Sequence, residues 1–450
     1  GTPHPPNTRL TYSGAFTSIC QTGPEKYHRR HTMKALIGAD LIDGTGGPVL
    51  KDAVVLLDGD RIESVGVRGS VAVPPGSEEV DLTGLTLLPG LIDTHDHLAS
   101  KNYTLLSRWG IDEPASVTHL KTAKAIEDSL AAGYTCIRDA GGLDAGFKYA
   151  VDQGLLRGPR ILTAISIISP TGGLGDAVSS SGHRNAYDND PMRPAAVANG
   201  PEAVRRIVRE MVRVGADVIK FATTGGASSR QGHGPKDIAF GPDEVKALVD
   251  EARSLEKLTM CHALGGPGLR MCIEAGVGSV EHGCYLAEDP DLFRIMADKN
   301  TFFTPTFEVY DLHSTISAPH IKERATTLMQ VHQESLHQAV SAGVKVASGT
   351  DAGGFVHGDN AREIELMVER GLSPMQAIQT ATGWAAECIG LEKEIGTIQK
   401  GKQGDFLAVD GDPLSNIGVL RDKDRIKLVM KAGNALIDKR AALVTKPAAD

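Results

Sequence analysis

The sequence predicts an α/β protein: a (β/α)8 barrel of the TIM type, with a small β-sandwich domain built from both chain ends. Three observations carry this expectation. Buried-strand and amphipathic-helix patterns alternate through the middle of the chain. Short strand patterns punctuated by Asp-Gly turns flank that middle on both sides. No G-x-G-x-x-G fingerprint opens the first strand–helix unit, which counts against the competing doubly wound open sheet.

In chain order, residues 1–32 are rich in Pro, Thr, Ser, Arg and His without periodicity and read as a flexible extension. Residues 33–88 carry hairpin texture, as in Ala53-Val-Val-Leu-Leu-Asp-Gly-Asp, and form the first part of the small β-domain. Residues 89–390 hold the barrel. Its expected strands are Gly90–Leu98, Tyr134–Ala140, Arg160–Ser169, Asp217–Thr223, Thr259–Leu264, Ser279–Tyr285, Thr301–Phe307 and Lys345–Thr350. Helices are expected over Pro242–Glu256 and Pro374–Ile389, the latter with Ser373 as N-cap. The β texture returns over 391–450 as Gly404-Asp-Phe-Leu-Ala-Val-Asp-Gly-Asp-Pro and Ile426-Lys-Leu-Val-Met-Lys-Ala-Gly. Neither strand-rich end is long enough to bury a core alone, so the two are expected to fold together.

Composition removes several functions. A net charge of −9 provides no basic face, so nucleic acid is not an expected partner. No run approaches the length of a transmembrane helix, so no membrane partner is expected. Gly1-Thr-Pro-His-Pro-Pro lacks the layout of a signal peptide, and the expectation is cytoplasmic, with secretion left open. Cys20, Cys136, Cys261, Cys272, Cys284 and Cys388 are scattered and read as reduced, packed thiols.

Chemistry concentrates at the expected strand ends, where barrels place their active sites. Leu88-Pro-Gly-Leu-Ile-Asp-Thr-His-Asp-His97 is an apolar run ending in His95 and His97, whose i, i+2 spacing points both imidazoles to one face of a strand. Lys220 falls on the fourth strand, His262 on the fifth, His282 on the sixth, and Asp351 ends the eighth. A single strand histidine is usually a packing residue, and an Asp after Gly-Thr usually caps a turn. Six such residues on five strand ends instead compose a metal site. An amine among Val, Ile and Phe is costly unless paired or deprotonated, so Lys220 reads either as a buried salt bridge or as a neutral amine that captures CO2. The resulting N6-carboxylysine is an anionic ligand able to bridge two metals. Arg138 and Asp139 read as a structural pair.

With that layout, the chain resembles the amidohydrolase superfamily of metal-dependent hydrolases, from about Lys34 into the 430s. Gly215-Ala-Asp-Val-Ile-Lys-Phe-Ala-Thr-Thr-Gly-Gly, Val280-Glu-His-Gly, Ser348-Gly-Thr-Asp-Ala-Gly and Lys400-Gly-Lys-Gln-Gly-Asp-Phe are similar to its imidazolonepropionase-related branch of metallo-dipeptidases and carboxypeptidases. The resemblance implies one metal on His95, His97 and Asp351, a second on His262 and His282, and carboxylated Lys220 between them. It implies two divalent ions, Zn2+ first, and a hydroxide shared between them that attacks an amide carbonyl while Asp351 shuttles the proton. The implied partner is a small-molecule amide or dipeptide ending in an amino acid, and the implied assembly a homo-oligomer such as an octamer. Arg230, His233 and Tyr285 are candidates for binding the substrate carboxylate. Relatives often carry Gly-Gly-His-Gly-Asp where this chain has Gly172-Gly-Leu-Gly-Asp176, which makes Leu174 a candidate determinant of substrate class or efficiency.

Two other functions stay open on sequence alone. A mononuclear deaminase on the same fold needs a carboxylic acid shortly after the fifth-strand histidine, and Ala-Leu-Gly-Gly follows His262 instead. A non-catalytic oligomeric scaffold of this fold usually loses metal ligands, whereas all six are present here.

Overall fold

The computed structural model describes residues 33–100, 114–176, 192–229, 233–353 and 357–440. The extension expected over residues 1–32 and the candidate Arg230 lie outside them.

The N-terminal part supplies β1 (Lys34–Leu41), β2 (Leu50–Asp58), β3 (Arg61–Val67), β4 (Glu78–Asp81) and β5 (Thr86–Pro89). β2 and β3 form a hairpin in which Asp58 pairs with Arg61. Gly59 takes φ 63 in its two-residue turn, a left-handed conformation that glycine adopts without a steric penalty.

A parallel body follows. β6 (Leu91–Asp96), β7 (Tyr134–Asp139) and β8 (Arg160–Thr163) make one three-stranded sheet. β9 (Ile167–Ile168), β10 (Val218–Ala222), β11 (Leu258–Ala263), β12 (Ser279–His282) and β13 (Phe302–Thr304) make a second, paired in sequence order. Isolated parallel bridges join Phe303 to Val346 and Asp96 to Ala352, so the segment around Val346–Ala352 runs between β13 and β6. Every residue of β6, β7 and β10 is buried, as expected of strands covered on both faces.

Helices occupy the connections. Pro201–Arg213 buries Val204, Ile207, Val208 and Met211, an i, i+3, i+4, i+7 stripe worth about 1.5–3 kcal/mol per fully buried side chain. Pro242–Ser254 matches its expected span to within two residues. Ser373 caps its helix as expected: its Oγ accepts from the Gln376 N–H at 3.3 Å, and the Gln376 side chain accepts from the Ser373 N–H at 3.0 Å.

β14 (Phe406–Val409), β15 (Ile426–Lys431) and β16 (Asn434–Asp438) return the chain to its start. β14 pairs antiparallel with β5, so both chain ends share one eight-stranded sheet, ordered β16-β15-β14-β5-β1-β2-β3 with β4 on β1. Leu36, Val55, Leu57 and Leu87 pack there with Phe406, Leu428 and Met430 in a core of their own.

Three expected elements differ. Arg160–Ser169 is divided into β8 and β9 at Ile165, whose φ of 67 lets the chain leave β7 and join β10. Lys345–Thr350 forms only the bridge at Val346. Its backbone is shared among three neighbours, with Ala347 N donating to Phe303 O (2.9 Å), Ser348 N to Thr380 O (2.7 Å) and Thr94 N to Ser348 O (2.9 Å). Gly349 belongs there because a Cβ would lie 2.7 Å from the His95 Cβ. The expected helix Pro374–Ile389 breaks into Pro374–Thr380 and Gly383–Cys388, because the Thr380 and Ala381 carbonyls accept from Ser348 and Ile92.

No helix among the described residues is long and apolar enough to cross a membrane. The five described cysteines are buried free thiols.

Candidate metal centre

The end of β6 delivers His95 and His97, both almost fully buried. His95 Nδ1 lies 2.7 Å from Glu281 Oε2, and His97 Nδ1 lies 2.7 Å from the Gly141 carbonyl. Oxygens that only accept draw the proton to each Nδ1, which leaves each Nε2 with its lone pair. Asp351 Oδ1 stands 3.2 Å from His97 Nε2 and 3.6 Å from His95 Nε2. The three donor atoms lie within 4.8 Å of one another. Asp351 takes φ 55, a left-handed backbone that a non-glycine residue holds only where its surroundings enforce it.

Lys220, on β10, is 1% exposed, and its Nζ approaches His95 Nε2 to 3.5 Å. Burial pushes its pKa down to about 8, against the raising influence of Glu281 and Asp351. His282 closes β12, with its Nδ1 2.8 Å from Thr306 Oγ1 and its ring centroid 5.1 Å from that of His95. His262 stacks edge-on to His282 at 4.4 Å and turns its Nε2 toward the Gly225 carbonyl at 3.3 Å. Burial drives the pKa values of His95 and His282 well below the usual imidazole value, which favours the neutral, ligating form. The six residues singled out by strand position therefore occupy one region. Three converging donors, neutral imidazoles and fixed tautomers fit a divalent transition metal.

The supporting partners are less legible in the sequence. Glu281 is fully buried beside Arg138, whose guanidinium donates to Glu281 Oε1 (3.2 Å), to Ser279 Oγ (3.1 Å) and to the Thr94 carbonyl (2.6 Å). Ser279 Oγ also donates to Glu281. Strand alternation puts Glu281 on the face opposite His282 and would leave it no role. His282 escapes that rule with φ 74. The Arg138–Asp139 pair expected from sequence does not form, because neighbours on β7 face opposite ways. Asp139 accepts instead from the N–H groups of Leu98 (2.9 Å) and Gly141 (2.9 Å).

The candidate substrate residues lie in the loops. Tyr285 follows β12, half-buried, with Lys236 Nζ 4.0 Å above its ring. Lys236 also pairs with Glu288 at 2.6 Å, so the loops after β10 and β12 are tied together. The His233 carbonyl sits against Gly225, where a Cβ would approach it to 2.4 Å. Leu174 is half-buried on a turn closed by Gly172 N to Asp176 Oδ2 (2.7 Å) and Gly175 N to Ser169 Oγ (2.9 Å). None of these three belongs to the converging donor set.

The amidohydrolase family model matches residues 86–436, and the chain belongs to that family. It is 29% identical over 414 residues to the ochratoxinase of Aspergillus niger, covering 87% of this chain and 84% of that protein. The crystal structure of A. niger ochratoxinase superposes with a TM-score of 0.82 at 27% identity, over 91% of this chain and 96% of that one. A prolidase complexed with N-methylphosphonate-L-proline superposes with a TM-score of 0.83 at 30% identity, over 90% and 100%. A Xaa-Pro dipeptidase with methionine bound in its active site gives 0.81 at 30% identity, over 90% and 100%.

Proposed function

We propose that this member of the amidohydrolase family is a binuclear metal-dependent hydrolase that cleaves the amide bond to a C-terminal amino acid. The observation that carries this reading is the convergence of His95, His97 and Asp351, with the buried Lys220 amine 3.5 Å from His95. The relatives support the leaving group. One holds a proline phosphonate, another holds methionine, and a third is an ochratoxinase. The substrate is a dipeptide or an N-acyl amino acid, with ochratoxin A in the same chemical class. We read the two parallel sheets and the Val346 segment as one (β/α)8 barrel (89–390), with residues 33–88 and the described part of 391–450, up to residue 440, forming the accessory β-domain.

His95, His97 and Asp351 would hold one cation and His262 and His282 the other. When bound, divalent cations on this nitrogen-and-oxygen donor set, Zn2+ first, supply Lewis acidity and lower the pKa of water towards neutrality. The chain's residues do the rest. Neutral Lys220 Nζ forms an N–C bond to CO2 and releases a proton, becoming an anionic carbamate placed between the two ligand groups. The Asp351 carboxylate accepts a proton from the attacking water and returns it to the amine as the C–N bond breaks. Glu281, the Gly141 carbonyl and Thr306 keep the imidazoles from rotating.

Elemental analysis of the purified protein, paired with a substrate panel, tests the reading. The panel holds ochratoxin A, an N-acyl-phenylalanine, Xaa-Pro and Xaa-Arg dipeptides, and a cytosine-type ring. About two metals per chain with release of a free amino acid is the expected result. One metal with ammonia release would replace it by a deaminase, and a metal-free, inactive protein by a scaffold.

A further inference from the structure

We infer that Asn360 is a positioning residue for the His95/His97/Asp351 ligand set, acting through Asp93 and Asp96; this rests on the metallohydrolase reading above. Asn360 lies in the turn before the helix Arg362–Glu369 and is fully buried. One nitrogen, Nδ2, donates to Asp93 Oδ2 at 2.8 Å and to Asp96 Oδ2 at 3.0 Å. Its Oδ1 accepts from Gly358 N at 3.0 Å, which fixes the amide's orientation.

Both carboxylates are fully buried, and each is attached to the ligand frame. Asp93 Oδ1 accepts from His95 N at 3.0 Å and from Thr350 N at 3.2 Å, while its Oδ2 accepts from Thr350 Oγ1 at 2.7 Å. One side chain thus ties the backbone of a ligand on β6 to the residue preceding Asp351. Thr350 Oγ1 also accepts from Ala352 N at 3.1 Å, and Asp351 N donates to His95 O at 2.7 Å, so the left-handed backbone of Asp351 is held on both sides. Asp96 stands between the two histidines in sequence and meets His357 Nε2 at 2.9 Å.

Two buried carboxylates sharing one neighbour repel unless a donor stands between them, and an amide places two N–H bonds there without adding charge. Asn360 thus holds the orientation of both carboxylates on β6, and through Asp93 it supports the bond to Thr350, the residue before Asp351. All three side chains are fully buried and bonded to the ligand frame, so the expected effect is on cation affinity and on the geometry of Asp351.

The test is Asn360→Ser, with Thr350→Val as a second variant that removes only the hydroxyl link to Asp93. Zn2+ affinity is measured by competition with a chromophoric chelator, alongside melting of the metal-stripped protein. Met211→Ala, in the core of the helix Pro201–Arg213, is a control for general destabilisation. A roughly 10–100-fold loss of affinity is expected for Asn360→Ser, in the range seen for outer partners of metal ligands, with a smaller loss for Thr350→Val. Met211→Ala should lower the melting temperature without weakening Zn2+ binding. Wild-type affinity in either folded variant of the network, or an equal loss in Met211→Ala, overturns the assignment. A wild-type protein that binds Zn2+ but hydrolyses no amide removes the proposed function and leaves this inference standing. A wild-type protein that takes up no cation removes both.

Discussion

Glu281→Gln separates ligand orientation from stability. The Glu281 carboxylate meets two buried partners at once, His95 Nδ1 at 2.7 Å and the Arg138 guanidinium at 3.2 Å. Glutamine has nearly the same volume but carries no charge and one acceptor oxygen, so it cannot serve both. Arg138 is 1% exposed, and leaving its charge uncompensated should cost about 3–5 kcal/mol of folding stability. Loss of the outer carboxylate should separately weaken metal binding by about 10–100-fold. The double variant Glu281→Gln/Arg138→Met tells the two apart: removing the stranded charge should return most of the stability while cation affinity stays low. Urea unfolding of the metal-stripped proteins reads the first quantity, and chelator competition reads the second. A single variant with wild-type stability and wild-type Zn2+ affinity would refute the reasoning. So would a double variant that regains both.

Lys220→Ala should lose the bridging ligand and nearly all activity, with partial rescue by a short carboxylic acid; two retained metals and full turnover would exclude a carbamate. Asp351→Asn should keep the fold and lower kcat by about 10²–10⁴, as expected for loss of a proton shuttle, and near-wild-type turnover would remove Asp351 from the chemistry. The Lys220 pKa of about 8 in the unmodified fold predicts a pH profile for activation of metal-stripped enzyme by Zn2+ at a fixed concentration of dissolved CO2. The neutral fraction grows about tenfold per pH unit below that value and levels off above it, so activation rates should rise from pH 6 to 8 and then flatten; a flat profile over pH 6–8 would contradict the neutral amine. Because the folded pKa lies below the ordinary lysine value, the unfolded chain holds the extra proton between the two. Urea stability of the unmodified, metal-stripped protein should therefore rise across that window.

Much of the fold and of the candidate site was legible in the sequence, because the signals are local. Parallel strands buried on both faces read as uninterrupted apolar runs, and the histidines, lysine and aspartate at their ends stand out against them. Hairpin turns at both chain ends likewise marked the segments that meet in the eight-stranded sheet. Elements failed where backbone groups are shared with distant neighbours. The strand expected at Lys345–Thr350 reduces to a bridge because β6, β13 and the Thr380 carbonyl compete for its hydrogen bonds. The helix after Ser373 breaks for the same reason. Adjacency in sequence suggests Asp139 as the partner of Arg138, yet Glu281, which takes that place, lies 143 residues away.

Local pattern singles out the side chains proposed to bear the chemistry and the strands that carry most of them. Tertiary structure alone decided what holds each one in place. Glu281 reaches His95 across 186 residues and Asn360 reaches Asp93 across 267. Periodicity reports which face of an element is buried and carries no information about which polar groups meet once the faces pack. Those partners are set by the requirement that every buried donor, acceptor and charge find its complement in three dimensions.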